Sequence, residues 1–260
     1  MIGVFDSGIG GLTVLKALRE KLPEYSFIYF GDTARTPYGS KSPETVVRYG
    51  REDAALLLKE GVKLIVIACN TVSALAYQVL KQEFNLPIFE VVNPAVREAI
   101  KMTKSGRVGV IGTRATIGSG AYQELLKANS VVTEVCGLAC PLFVPLVEEG
   151  WEREEEAAAI VKKSLYPLKL RGIDTLILGC THYPVLRSAI EEFMGPEVRL
   201  IDSADAVAQE VSEFLAANAQ LDSLMKKQGD IRILVSDKTE QMEKAAASWL
   251  GDLKIEQITT

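Results

Sequence analysis

Leu64-Ile65-Val66-Ile67-Ala68-Cys69-Asn70-Thr71 and Thr175-Leu176-Ile177-Leu178-Gly179-Cys180-Thr181-His182 follow one plan: a short apolar run, a small residue, a cysteine, then side chains that hydrogen-bond. An unbroken run of Leu, Ile and Val this short, bounded by polar residues, reads as a parallel strand buried on both faces. Each cysteine then stands where a strand ends, the edge at which open α/β sheets bind ligands. Two cysteines delivered to equivalent places in two half-molecules would face one another across a shared ligand.

The neighbouring sequence extends this pattern. Ile2–Phe5 reads as a strand, Asp6-Ser7-Gly8-Ile9-Gly10-Gly11 as a tight turn, and Leu12, Leu15, Leu18 and Leu22 as the apolar stripe of a helix ended by Pro23. After a strand at Phe27–Phe30, the loop from Gly31 to Ser40 is long enough to suggest function. Ser42-Pro43-Glu44 opens a helix that runs to Gly61. The first cysteine strand, a helix from about Val72 to Phe84, a strand Ile88–Val92 and a helix from Asn93-Pro94 follow. Val108-Gly109-Val110-Ile111-Gly112-Thr113 then echoes Ile2–Ser7 about 106 residues on, and the cysteines are 111 residues apart, which argues for an internal duplication.

The second copy continues through a helix near Gly120–Ala128, a strand Val131–Val135 and an irregular segment Gly137–Gly150. A helix Glu152–Leu168, the second cysteine strand, a helix from about Val185 and a strand Val198–Ile201 complete it. Helix Ala204–Ala217, a polar connector to Gly229, strand Ile231–Val235, helix Thr239–Leu250 and strand Leu253–Ile258 lie outside the repeat. The expected fold class is α/β, two pseudo-symmetric domains with mostly parallel sheets.

Composition narrows the function classes. The 260 residues, 48% hydrophobic, have room for one large or two modest domains. A net charge of -5 without any Lys/Arg-rich run argues against nucleic acid or an anionic membrane as partner, and favours a small polar ligand. No apolar stretch approaches the roughly 20 residues that span a bilayer. The N-terminus enters a strand without a signal segment, and the four cysteines suit a reducing compartment, so a cytoplasmic location is expected.

The glycine-rich turn lacks a dinucleotide fingerprint, since position 13 is Thr, and lacks the Lys-Ser/Thr ending of a phosphate loop. Its free backbone N–H groups suit a carboxylate. Cys69 and Cys180 each precede residues that can cap a helix, and a thiol at a helix N-terminus is expected to have a pKa below about 8.5. Cys136 and Cys140 sit among Val, Leu, Ala and Pro and read as packing residues. Combined with Cys180 and His182 they lack a strong zinc spacing, so no metal is expected. His182, the only histidine, lies two residues from a candidate thiol and can relay a proton. Glu148 or Glu149 would orient it, and spacing does not choose between them. Two thiols on opposite sides of a small ligand suit stereoinversion, in which one base removes a proton and an acid on the other face returns one. Disulfide redox is the competitor, but its Cys-x-x-Cys spacing is absent.

Asp6-Ser7-Gly8 with its following glycines, Pro37-Tyr38-Gly39, Ala68-Cys69-Asn70-Thr71, Gly112-Thr113 with Thr116, and Gly179-Cys180-Thr181-His182-Tyr183-Pro184 together resemble the motif set of the glutamate racemase family, in order and across nearly the whole chain. The resemblance implies a two-base mechanism without a cofactor. Cys69 would act on the D-glutamate α-proton, assisted by Asp6, and Cys180 on that of the L-enantiomer, assisted by Glu148 and His182. The family pattern prefers Glu148 to Glu149. Implied substrate contacts are Ser7, Tyr38, Gly39, Asn70, Thr71, Thr113, Thr116 and Thr181, with Asp32 as support.

The resemblance also implies domains of residues 1–93 with 207–260 and of residues 94–206, an active site in the cleft between them, a homodimer, and D-glutamate supply for bacterial peptidoglycan. No extension precedes the first strand, so activation by a cell-wall precursor is not expected. The rival readings are an aspartate or hydantoin racemase, which typically carries an acid where His182 stands, a non-catalytic two-lobed amino-acid-binding protein, and a structural thiol protein.

Overall fold

The computed structural model describes residues 1–251 and 254–258. The first stretch of chain contains β1 (Ile2–Asp6), α1 (Leu12–Lys21), β2 (Phe27–Gly31), α2 (Pro43–Lys59), β3 (Leu64–Ile67), α3 (Asn70–Glu83), β4 (Ile88–Glu90) and α4 (Val92–Met102). The second contains β5 (Arg107–Gly112), α5 (Arg114–Gly118), α6 (Ala121–Lys127), β6 (Glu134–Ala139), α7 (Phe143–Glu148), α8 (Glu155–Leu170), β7 (Thr175–Gly179), α9 (Arg187–Met194) and β8 (Arg199–Asp202). The chain closes with α10 (Ser203–Ala217), α11 (Ala219–Asp222), β9 (Ile231–Val235), α12 (Glu240–Leu250) and β10 (Ile255–Gln257).

These strands form two sheets, ordered β10-β9-β2-β1-β3-β4 and β6-β5-β7-β8, and every pairing is parallel. The order β2-β1-β3-β4 thus recurs as β6-β5-β7-β8. Even the register repeats, because Ile2 pairs with Leu64 as Val108 pairs with Thr175. Cys69 and Cys180 therefore occupy matching positions beyond matching strands. β9 and β10, which lie outside the repeat, extend the first sheet beyond β2.

The apolar strand runs are buried on both faces because helices cover both. Leu64 and Val66 pack into the cluster that contains Leu12, Leu15, Val207 and Val211, whereas Ile65 and Ile67 pack with Val46, Leu57, Val72 and Leu80. In the second sheet Leu176 and Leu178 join Phe143, Val161 and Leu165, and Ile177 joins Val96, Ala99 and Tyr122. No helix among the described residues is long and apolar enough to cross a membrane.

Local chemistry sets several boundaries. Ser42 caps α2 by accepting the Thr45 N–H, and Gly61 turns the chain away with φ of 79°, which a Cβ would oppose. β4 ends at Glu90, short of the expected Val92. The Glu90 carboxylate accepts the N–H groups of Val92 (2.5 Å) and Asn93 (2.8 Å) and so starts α4. The strand expected at Val131–Val135 lies instead at Glu134–Ala139, and the segment read as irregular contains its second half and α7. β6 is a half-buried edge strand with Gly137 inside it, so it lacks a clean alternation. Pro145 falls in the first turn of α7, where its missing N–H costs no helical bond. α8 continues through Pro167 to Leu170, and α11 interrupts the polar connector before Gly229. Of the strand expected from Leu253, Ile255–Gln257 is observed, and Leu253 lies outside the described residues.

Leu178 has no exposed surface, whereas Leu170 is 71% exposed. Leu178→Ala is expected to destabilise the fold by about 2–5 kcal/mol, and Leu170→Ala by about 0.5 kcal/mol or less. Urea unfolding midpoints at constant slope measure both.

Candidate active site

The carboxyl ends of β1, β3, β5 and β7 bring Asp6-Ser7, Cys69-Asn70-Thr71, Thr113 and Cys180-Thr181-His182 close together between the two sheets. Direct contacts join the two sides. Thr71 Oγ1 lies 3.0 Å from both Thr113 Oγ1 and Thr116 Oγ1, which are themselves 2.9 Å apart. Thr13 donates to the backbone oxygens of Gly10 (2.8 Å) and Thr181 (3.1 Å). A Cβ on Gly10 would come within 2.6 Å of the His182 ring, so the glycine-rich turn lies flush against the imidazole.

Cys69 ends β3 as the N-cap residue of α3, and its Sγ donates to Ser7 Oγ at 3.6 Å. The helix N-terminus does not lower its pKa as the sequence suggested. Burial and then the Asp6 carboxylate push the thiol up to about 12, against the Val72 N–H and the Ser7 hydroxyl. A fully buried sulfur has lost its hydration, and that loss outweighs a helix end. Asp6 has no exposed surface and accepts the Gly8 N–H at 3.0 Å. Burial raises its pKa, opposed by the charge of His182 and the N–H groups of Gly11, Gly8 and Ser7.

Cys180 is buried, with Sγ 3.8 Å from His182 Nδ1. The chain after it forms a 3-10 turn, Tyr183–Leu186, before α9 begins, so this thiol does not cap an α-helix. Glu148 Oε1, at the end of α7, lies 3.3 Å from His182 Nε2 in an ion-pair contact that is off the line of an ideal hydrogen bond. Burial would push the imidazole down, but Cys180 and Glu148 outweigh it and raise its pKa to about 10. Of the two adjacent acids left open by spacing, Glu148 makes this contact.

The remaining expected residues divide by position. Thr71, Thr113 and Thr116 form the hydroxyl triangle, and Thr181 Oγ1 lies 3.5 Å from His182 Nδ1. Asn70 donates to Tyr122 Oη at 2.8 Å. Asn70 Oδ1 and Asp6 Oδ1 are buried and have no hydrogen-bond partner among the described residues. Gly39 rests against the Thr113 side chain, where a Cβ would approach to 2.5 Å. The Tyr38 hydroxyl is engaged by Asp32 and Asp53. Asp32 is likewise held in that network, away from the thiols.

Sequence reasoning missed Thr13, Tyr122 and Asp53. Only Asp53 carried a signal, as an acid on the apolar face of α2. Cys140 is buried in the core with Phe143, while Cys136 is half-buried on β6. Among the described residues no three His, Cys, Asp or Glu side chains group to hold a metal ion. The arrangement presents two thiols, Cys69 near Asp6 and Cys180 near His182, together with a cluster of threonine hydroxyls.

The sequence matches the Asp/Glu/hydantoin racemase family over residues 12–211. It is 48% identical over 250 residues to glutamate racemase of Geobacter metallireducens, covering 96% of this chain and 92% of that one. Among solved structures, a glutamate racemase isoform of Bacillus anthracis superposes with a TM-score of 0.92 at 37% identity, covering 100% of this chain and 97% of that one. Glutamate racemase from Francisella tularensis in complex with D-glutamate gives a TM-score of 0.91 at 35% identity, covering 99% and 97%.

His182 supplies the only imidazole signals in the chain. NMR titration should show it protonated through pH 8 and titrating near pH 10, and Glu148→Gln should lower that value. Because the folded value lies above the unfolded value of about 6.5, the stability His182 contributes is complete below about pH 6.5. It is lost as pH rises through about 10.

Proposed function

The chain belongs to the Asp/Glu/hydantoin racemase family, and from that premise we propose that it interconverts L- and D-glutamate at the α-carbon with Cys69 and Cys180 as the two bases. The observation that carries this reading is the pair of buried cysteines beyond matching strands of matching sheets, each with its own acid–base partner. Glutamate is favoured over aspartate or a hydantoin by the relatives named glutamate racemase and by a histidine at position 182. A binding protein of the same shape would have no use for two buried thiols beyond matching strands.

The two sides carry different acid–base partners. Cys69 has a carboxylate beside it and retains its proton, whereas Cys180 has an imidazolium beside it. For the L-enantiomer, Cys180 is the base and Cys69 the acid. The Cys180 thiolate takes the α-proton, the electron pair stays on the α-carbon, and the Cys69 thiol returns a proton to the opposite face. Product release leaves the sulfurs with exchanged protonation states. Asp6 then serves Cys69, and His182 with Glu148 serves Cys180, in restoring them.

Substrate recognition follows from the donors present. The Thr71, Thr113 and Thr116 hydroxyls seat one carboxylate. The Tyr38–Gly39 backbone and Ser7 seat the other. Asn70 Oδ1 and Asp6 Oδ1, two buried acceptors, match the ammonium, and Thr181 closes the His182 side. The carbanion has no cofactor to delocalise it, so stabilisation falls to preorganised dipoles in a site closed to water.

On this reading residues 1–93 with 207–260 and residues 94–206 form two lobes about the cleft. The enzyme works as a homodimer in the bacterial cytoplasm and supplies D-glutamate to peptidoglycan.

Proton NMR in D2O, without pyridoxal phosphate, tests the reaction. Loss of the α-proton signal from either glutamate enantiomer, with appearance of the other enantiomer, is expected. Cys69→Ala and Cys180→Ala should each reduce racemisation on the order of 10³-fold with the fold intact. Wild-type turnover in both variants would sink the two-base assignment. Exchange with aspartate alone would overturn the substrate, and no exchange with either amino acid would favour a binding protein.

A further inference from the structure

Helix α2 packs Val46, Ala54 and Leu57 into the core, and Asp53 stands on the same face without exposed surface. A carboxyl group buried there is costly unless its oxygens are matched. Arg35 Nη2 lies 3.1 Å from Asp53 Oδ1, and the Tyr38 hydroxyl lies 3.1 Å from Asp53 Oδ2. That hydroxyl also contacts Asp32 Oδ2, which Arg35 Nε reaches too, and Asp32 Oδ1 accepts from Ser236 at 2.8 Å. Arg35 contacts Glu52 with its remaining nitrogen.

Counting protons settles the direction of these bonds. A phenol has one proton, and Asp32 is the acceptor in each of its own contacts. If Tyr38 donates to Asp32, the contact with Asp53 is a hydrogen bond only when Asp53 is the donor. A neutral Asp53 fits both of its neighbours, with Oδ1 accepting from Arg35 and the Oδ2 proton directed at the phenol oxygen. Burial and the charges of Asp32 and Glu52 favour that neutral form and outweigh Arg35 and the contact with the Tyr38 hydroxyl, which oppose it.

Tyr38 is the buried root of the loop that carries Gly39 to Thr113. The start of the loop is tied down separately, by the Ala34 N–H to Ser236 (2.9 Å) and the Asp237 N–H to Thr33 (2.8 Å). Its far end has the Tyr38 ring and hydroxyl as its anchor. We propose that Asp53 is a positioning residue that, as a neutral hydrogen-bond donor to the Tyr38 hydroxyl, fixes the Tyr38–Gly39 backbone against Thr113 and so sets the seat of a substrate carboxylate. This rests on the reading of the cleft as a glutamate site. Asp53 touches neither the substrate nor the thiols.

Asp53→Asn and Asp53→Ala separate this role from a charged or merely structural one. The asparagine amide can accept from Arg35 with its oxygen and donate to Tyr38 with its NH2. It should therefore keep wild-type KM, kcat and hydrogen–deuterium exchange in residues 33–41. Asp53→Ala should raise KM for glutamate about tenfold with kcat nearly unchanged, and should speed exchange in that segment. In a Tyr38→Phe background, Asp53→Ala should add no further rise in KM. If Asp53→Ala does not fold, Asp53→Asn is compared with Tyr38→Phe, and only the latter should raise KM. An asparagine variant as impaired as the alanine variant, or an alanine variant with unchanged KM and exchange, overturns the proposal. The expected exchange pattern in a protein whose wild type leaves glutamate unaltered would support the anchor and overturn the racemase reading.

Discussion

Because every strand pairing is parallel, each sheet presents all its strand carboxyl ends along a single edge, and the site depends on that constraint. Asp6, Cys69, Thr113 and Cys180 are far apart in the chain, yet each follows a strand that ends at this edge. The repeated order and register deliver the two thiols from corresponding places. Backbone as well as side chains brings the two sides together. Gly10 lies against His182 and Gly39 against Thr113, approaches that any Cβ would prevent.

Near-symmetry of backbone coexists with asymmetry of charge. Both thiols are buried beyond matching strands, so desolvation acts on each, but the neighbours differ. The Asp6 carboxyl stands beside Cys69, and the His182 imidazole, itself in contact with Glu148, stands beside Cys180. The duplicated fold supplies geometry, and positions at which the two copies carry different residues supply the polarity.

The strands beyond the repeat serve the site at one remove. β9 lies beside β2, and Ser236 at its end holds Asp32 and the start of the loop that reaches Thr113. The closing segment therefore does more than widen the first sheet. It buttresses the one long loop that crosses toward the second.

Much of this was legible in the linear sequence. Short runs such as Leu64–Ile67 contain only residues that must leave water, so they specify strands covered on both sides, and the cysteine that follows each must stand at a strand end. The proximity of Cys180 and His182 follows from adjacency in the chain, as does that of Asp6 and Ser7. Tertiary structure decided the rest, because it turned on burial and on partners distant in sequence. It selected Glu148 as the His182 contact and moved β6 onto an edge that periodicity does not mark. It turned the Tyr38 hydroxyl toward Asp32 and Asp53. It also reversed the expected effect on Cys69, because local sequence reveals a helix N-terminus but not the loss of hydration and the facing carboxylate that outweigh it.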